Sequence, residues 1–100
     1  MKLRYEFVIM EMDGEYAAVP VGEDAKKFHG MLKCNDISAL ILECLKEDTT
    51  PMKIHLRLKE KYPDSADEEI ARNLVPFLNR LNHEGLLENI TDDERRIFIF

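Results

Sequence analysis

The stretch LRYEFVIMEMDGEYAAVPV, residues 3–21, specifies the first part of the fold, because alternating strand formers over residues 3–12 and an apolar run over residues 15–21 meet at Asp13-Gly14. Asp-Gly between two strand-forming runs is a strong hairpin signal, since a type I′ turn needs a positive φ at both central residues. Pro20 has no N–H group, so we expect it on a free edge or at the end of the second strand. The register that follows pairs Met12 with Glu15, Met10 with Ala17, and Val8 with Val19.

Both faces of this hairpin are apolar near its middle. One face carries Val8, Met10, Ala17 and Val19, and the other carries Tyr5, Phe7, Ile9, Tyr16 and Ala18. We expect one of the two faces to pack on helices of the same domain. The second face needs another cover, because a large exposed apolar patch marks an interaction site. A self-partner, a binding partner or the C-terminal segment would each supply it, and a homodimer through the N-terminal hairpin is therefore one predicted assembly.

The remainder of the chain predicts a loop over residues 21–30, a short third strand over residues 31–34, and then three helices. Asn35 is suited to cap the first helix, Thr50 and Pro51 to begin the second, and Gly85 to end the third. Each helix has apolar residues at helical spacing on one face. These residues are Ile37, Leu40, Ile41, Cys44 and Leu45, then Ile54, Leu58 and Tyr62, then Ile70, Leu74, Phe77, Leu78 and Leu81.

The last residues predict a closing hairpin. Residues 86–90 and 96–100, which each contain several apolar residues, flank the polar residues 91–95. The whole chain, residues 1–100, therefore predicts one α+β domain that is winged helix-turn-helix-like. It would have an N-terminal three-stranded antiparallel sheet, then three helices, then a C-terminal hairpin.

Pro76 is an anomaly in the third predicted helix. A proline inside a helix removes the hydrogen bond to the carbonyl four residues earlier, here that of Arg72, and costs about 3 kcal/mol. We therefore expect a kink or a locally irregular turn between Arg72 and Pro76.

Length and charge exclude several classes of protein. A chain of 100 residues supports one modest core, with little room for a deep catalytic cleft. No run of about 20 apolar residues is present and we expect no secretory signal, so a reduced, cytoplasmic protein is the simplest interpretation. Fourteen basic residues against 20 acidic ones give a net charge of -6, which disfavours binding to nucleic acid.

Residue types that carry chemistry are scattered along the chain. His29, His55 and His83 fall in three different segments, and none has a partner at a metal-ligand spacing. Cys34 and Cys44 do not form a CxxC pair, and no glycine-rich phosphate loop is present. We therefore expect no catalytic residue, no metal site and no cofactor.

A winged helix-turn-helix regulator of DNA is one alternative, because this fold commonly places its third helix in the major groove. Residues 64–84, however, contain five acidic residues and two arginines. Such an acidic, proline-containing helix is poorly suited to the phosphate backbone. A structural subunit is another alternative, held together by the hairpin and by the apolar end Ile97-Phe98-Ile99-Phe100.

Several short motifs together resemble the PqqD-like family, which is named after coenzyme PQQ synthesis protein D. The likeness rests on residues 31–42 (MLKCNDISALIL), Asp48-Thr49-Thr50, Ile54, Tyr62-Pro63 and residues 77–87 (FLNRLNHEGLL). The chain departs from the family pattern at three places. Cys34 replaces the usual aliphatic residue before Asn35, no glycine follows Asp48, and Pro76 interrupts the third helix.

The resemblance implies a non-catalytic chaperone for ribosomally made peptides. Such a domain binds the leader of a precursor peptide and presents it to a modifying enzyme, often of the radical SAM type. The implied mode is β-augmentation, in which the leader adds a strand to an exposed sheet edge.

The predicted peptide-binding residues lie on the short third strand and on one flank of the last helix. The strand supplies the edge, and Ala71, Val75 and Asn82 lie beside the core stripe at about 100° per residue. Lys33, Arg72 and Arg80 are cations that would meet leader carboxylates. The full predicted set is Gly30, Met31, Leu32, Lys33, Cys34, Ala71, Arg72, Val75 and Asn82.

Overall fold

The computed structural model describes residues 1–22 and 31–97. Most of the predicted loop, Gly30 and the last three residues lie outside these ranges. The described elements in chain order are β1 (Lys2–Leu3), β2 (Phe7–Met12), β3 (Glu15–Pro20), β4 (Leu32–Cys34), α1 (Asp36–Cys44), α2 (Pro51–Lys61), α3 (Asp67–His83), β5 (Leu87–Glu88) and α4 (Asp92–Ile97).

The structure confirms the hairpin and its register. β2 and β3 are antiparallel, with Met12 opposite Glu15 and Val8 opposite Val19. Asp13 and Gly14 have φ values of 53° and 81°, which are the positive values that a two-residue primed turn requires. Pro20 is the last residue of β3, as expected.

A third strand completes the N-terminal sheet. β4 is antiparallel to β3, and the strand order is β2-β3-β4. The strand begins at Leu32, one residue later than the sequence predicts. The predicted three-stranded antiparallel sheet followed by three helices is therefore confirmed.

The first two long helices begin where their capping residues predict, and the third ends where Gly85 predicts. Asn35 Oδ1 accepts the Ser38 N–H at 2.9 Å, and Thr50 Oγ1 accepts the Lys53 N–H at 3.2 Å. α3 ends in a Schellman motif around Gly85, whose φ is +75°. Its two hydrogen bonds run from Leu86 N–H to the Leu81 carbonyl at 2.9 Å and from Gly85 N–H to the Asn82 carbonyl at 3.0 Å.

The inner face of the sheet and the three helices enclose one apolar core. Phe7, Ala18 and Leu32 are its buried residues on β2, β3 and β4. Its fully buried helical side chains are Ile41 and Leu42 of α1, Ile54 and Leu58 of α2, and Leu78 and Leu81 of α3. The opposite sheet face is exposed, and Val8, Met10 and Met12 lie on it. We call this the outer face.

The first strand is shorter than its alternating pattern suggests. The chain leaves strand geometry after Leu3, and β2 begins at Phe7. β1 instead pairs with β5, with Leu3 opposite Leu87, and the Leu3 N–H donates to the Leu45 carbonyl at 2.8 Å. This pairing joins residues that are more than 80 positions apart in the chain, so no local pattern predicts it.

The predicted C-terminal hairpin is wrong for the described residues. Leu87–Glu88 is a strand, but it pairs with β1, and Asp92–Ile97 is a helix. The reason is a capping box: Thr91 Oγ1 accepts the Glu94 N–H at 3.2 Å, and Glu94 Oε1 accepts the Thr91 N–H at 2.9 Å. The polar residues expected to form a turn therefore begin a helix.

Pro76 does not interrupt α3, which runs without a break from Asp67 to His83. The predicted irregular turn is therefore absent from this described helix, although Pro76 cannot donate to the Arg72 carbonyl. The side chain of Pro76 is exposed, so the ring displaces no core residue.

Candidate functional site

The outer edge of β4 is unpaired among the described residues. The two-residue turn makes Met12 and Glu15 a pair whose backbone groups bond to each other. Along an antiparallel ladder such pairs alternate with pairs that do not bond to each other, so every second residue of β3 directs its backbone groups to β2 and the residues between direct theirs to the other side. Tyr16 and Ala18 therefore direct their backbone groups to β4, where they meet Cys34 and Leu32. It follows that Lys33 directs its N–H and C=O groups away from the sheet, toward the open side.

A groove of about 340 Å³ lies beside this edge. The end of the sheet, the start of α1 and one flank of α3 meet there. Its lining includes Tyr16, Lys33, Cys34, Ser38, Phe77 and Arg80. An unpaired strand edge next to a groove is the arrangement that strand addition requires, because the main chain binds at the edge and alternate side chains enter the groove.

The groove combines the apolar side chains of Cys34 and Phe77 with polar and charged residues, among them Ser38, Lys33 and Arg80. Cys34 and Phe77 are half-buried, and Arg80 is exposed, with its Nε 3.5 Å from Glu84 Oε1. Burial raises the pKa of the Cys34 thiol, so the thiol is protonated at neutral pH. The carboxylate of Glu11, which is opposite Tyr16 across the hairpin, raises the pKa of the Tyr16 phenol. Both groups therefore present neutral surfaces to a ligand.

The structure brings together only part of the predicted set. Lys33 and Cys34 line the groove beside β4, while Leu32 is 6% exposed and belongs to the core. Met31 is 56% exposed and lies just before β4. Gly30 lies outside the described residues.

The predicted helix residues lie elsewhere. Ala71 and Val75 line a second groove, of about 440 Å³, between α2 and α3, together with Met52 and Leu56. Arg72 is exposed and Asn82 is half-buried. The residues of α3 and of β4 in the predicted set therefore do not border one groove.

Helical geometry explains this placement. At about 100° per residue, Phe77 and Arg80 lie about 20° and 80° to one side of Ile70, whereas Ala71 and Val75 lie about 100° and 140° to the other. The sequence identifies the core stripe but does not say which of its flanks faces the sheet. The pattern predicts Phe77 as a core residue, and its position at the edge of the stripe is the signal that it can face a groove.

Other kinds of site find no support in residues 1–22 and 31–97. No group of three histidine, cysteine, aspartate or glutamate side chains lies close enough to hold a metal ion there. His55 Nε2 is instead 3.2 Å from Asp67 Oδ1, which links α2 to the start of α3. Among these residues, no helix is long and apolar enough to span a bilayer.

The start of α3 is acidic, as the sequence indicates. Asp67, Glu68 and Glu69 occupy its first turn, where carboxylates stabilise the positive end of the helix dipole. This accounts for their position, but it opposes contact with a phosphate backbone. The DNA-binding alternative is therefore not favoured.

Two comparisons with known proteins show what the chain resembles. Residues 6–87, most of the chain, match the family model described as coenzyme PQQ synthesis protein D (PqqD). The fold is similar to that of TbiB1, solved in complex with the TbiA(beta) leader peptide. The TM-score is 0.65 at 22% identity, and the match covers 92% of this chain and 100% of TbiB1. No curated protein matches the sequence.

Proposed function

The chain belongs to the family of coenzyme PQQ synthesis protein D, and from this premise we propose that it is a non-catalytic, peptide-binding adaptor for ribosomally made peptides. It binds the leader of a precursor peptide as an added strand and presents that peptide to a modifying enzyme. TbiB1, whose fold is similar, was solved with a leader peptide bound, which supports the same class of ligand here.

The observation that carries this proposal is the open edge of β4 beside the groove lined by Cys34 and Phe77. The edge offers the N–H and C=O groups of Lys33 to an extended peptide. Each main-chain hydrogen bond contributes about 0.5–1.5 kcal/mol whatever the peptide sequence. Side chains that enter the groove add apolar contact and therefore the preference for one leader over another.

The peptide-binding residues that we propose on the strand side are Met31, Leu32, Lys33 and Cys34, with Phe77 and Arg80 opposite them. Leu32 contributes its backbone pairing with β3 and so fixes the position of the edge. Contacts of Gly30, Ala71, Arg72, Val75 and Asn82 with the leader stay predictions. The helix residues among them would be reached only by a leader that continues past the groove beside β4.

We further propose a radical SAM-type modifying enzyme as the partner, and the cytoplasm as the place of action. The outer face of the sheet, with Met12 63% exposed, provides a surface for a second copy of the chain. Self-association through Val8, Met10 and Met12 would leave the backbone edge of β4 free, so a homodimer that does not cover Lys33 is compatible with leader binding.

The test begins with peptides selected from a displayed library of random 12-residue sequences, and we call the tightest binder the selected peptide. Titration of the ¹⁵N-labelled chain with it should shift the amide signals of Lys33, Cys34, Phe77 and Arg80. Shifts confined to β1, β5 and α4 would contradict the proposed site. Failure to select any peptide would contradict the proposed function.

The delivery step has its own test. A short precursor reading frame and a radical SAM gene beside this gene would provide the natural leader and enzyme. Modification of the precursor by that enzyme should then depend on this chain. Equal modification in its absence would remove the adaptor role.

A further inference from the structure

The pairing of the three strands arranges their side chains in rows across the sheet. One row is Met10, Ala17 and Lys33, which are directly opposite one another in turn. Paired residues share a face, and neighbours along a strand alternate between faces. Because Met10 lies on the outer face, the side chain of Lys33 lies there as well.

The two adjacent rows lie on the inner face. One is Ile9, Ala18 and Leu32, and the other is Glu11, Tyr16 and Cys34. The row that ends at Leu32 reaches the core, where Ala18 is fully buried. The row that ends at Cys34 reaches the groove beside Phe77.

A strand added at β4 would extend each row by one residue. The peptide residue opposite Lys33 would exchange hydrogen bonds with it and project onto the outer face. The two peptide residues that flank this position would project inward, one beside Leu32 and one beside Cys34 and Phe77. Leu32, Cys34 and Phe77 offer apolar surface at these positions, so the inner positions favour apolar side chains. The polar Ser38 and Arg80 also line the groove.

The outer position has the opposite chemistry. Lys33 ends a row whose other members are the apolar residues Met10 and Ala17. No carboxylate of the described residues lies within ion-pairing distance of its ammonium group. Residues of opposite charge that are directly opposite across two strands stabilise the pair by about 0.2–1 kcal/mol, and like charges destabilise it. A carboxylate is therefore the favoured side chain at this position.

We infer that the site selects peptides with an apolar–acidic–apolar triplet, in which the acidic residue lies opposite Lys33 and the two apolar residues are directed to the inner face. This inference rests on the proposed function and specifies the class of leader that the site accepts. Only Lys33 of the described β4 strand directs backbone groups to the open side, so main-chain bonds alone give little affinity. The triplet therefore determines which extended segments bind.

A charge reversal at Lys33 tests the inference. Peptides are selected from the displayed library against the wild-type chain and against Lys33→Glu, and those that compete with one another for the groove are aligned. The wild-type set should show an acidic residue between two apolar ones. Lys33→Glu should change the central preference to lysine or arginine and leave both apolar positions unchanged.

Synthetic peptides then give the size of the effect. With Asp or Lys at the central position of one selected triplet, the wild-type chain should prefer Asp by about two- to fivefold in Kd, and Lys33→Glu should prefer Lys by a similar factor. Lys53→Glu is the matched control, since it reverses an exposed lysine of α2 that does not line the groove. It should leave the preference for Asp unchanged.

The outcomes separate the triplet from the proposed function. If Lys33→Glu still selects peptides with an acidic central residue, the triplet is overturned and the proposed peptide binding stands. A change at the apolar positions would show that the register is displaced by one residue, and it would overturn the triplet as well. Selection of no peptide by the wild-type chain would overturn both proposals.

Discussion

The two flanks of α3 border grooves of similar size, but only one groove includes a strand edge. The first, beside β4, joins Phe77 and Arg80 to the backbone of Lys33. The second, beside α2, joins Ala71 and Val75 to another helix, whose backbone groups are used within the helix. An extended peptide therefore finds main-chain partners in the first groove and side chains alone in the second.

Exposed apolar surface alone would favour the second groove as the peptide-binding site. Met52 is 68% exposed on α2, and the lining beside it is mostly apolar. Strand addition depends on unpaired backbone groups, which a list of exposed apolar residues does not reveal. The position of the sheet edge, more than apolar exposure, therefore identifies the side of α3 on which we propose that a leader binds.

The largest expected effect comes from removing the hydrogen-bond donor at the edge. Lys33→Pro deletes the outward N–H group and places the proline ring where the peptide backbone would approach. We expect the Kd for the selected peptide to rise at least about tenfold, measured by isothermal titration calorimetry. The N–H of Lys33 does not bond to β3, so the thermal midpoint of unfolding should change little.

Lys33→Ala is the matched control for this prediction, because it removes the side chain and keeps the donor. Its Kd should rise by no more than about fivefold, the upper range for one cross-strand pair. Equal losses in Lys33→Pro and Lys33→Ala would show that the peptide does not add a strand at β4.

A smaller effect is expected from shortening one side chain on each flank of α3. Phe77→Ala removes the aromatic wall of the groove beside β4, and we expect a rise of about five- to tenfold in Kd for the selected peptide. Val75→Ala, on the other flank, should change Kd by less than about twofold. A larger rise in Kd for Val75→Ala than for Phe77→Ala would place the peptide in the groove beside α2.

The smallest expected effect concerns the two cysteines. Burial raises the pKa of both Cys34 and Cys44, so at pH 8 each is less ionised than a free thiol and should react slowly with iodoacetamide. A saturating amount of the selected peptide should slow alkylation of Cys34 a further few-fold, because Cys34 lines the groove. Mass spectrometry of the two modified peptides measures both rates in one sample.

Cys44 serves as the internal control, because it lies on α1 and does not line the groove. Its alkylation rate should be the same with and without the peptide. Equal protection of both thiols would indicate that the peptide stabilises the whole fold, and protection of neither would place the peptide away from Cys34.

Local signals predicted most of the fold. Asp13-Gly14 specified the hairpin register, Asn35 and Thr50 specified where two helices begin, and Gly85 specified where the third ends. Each of these signals acts within a few residues of its own position, so one sequence suffices to recognise it. Thr91 and Glu94 formed a signal of the same kind, and the C-terminal helix was predictable from their capping-box spacing.

Features that depend on distant parts of the chain were not predictable in this way. β1 pairs with β5 across more than 80 residues, as Lys2 opposite Glu88 shows. The flank of α3 that faces β4 also depends on distant parts of the chain, because Phe77 and Val75 are both apolar and both border the core stripe. Only the packing of α3 against the sheet distinguishes them.

The alternation of β4 has a consequence for how leader specificity can evolve. The residue that offers its backbone to the peptide, Lys33, directs its own side chain away from the inner groove. In the proposed complex, different residues therefore bind the peptide backbone and contact its apolar side chains. Substitutions at Phe77 can change which apolar residues fit while the strand edge stays intact. Substitutions at Lys33 can change the charge that is preferred without disturbing the groove. One substitution can therefore change one preference of the proposed site and leave its other preference in place.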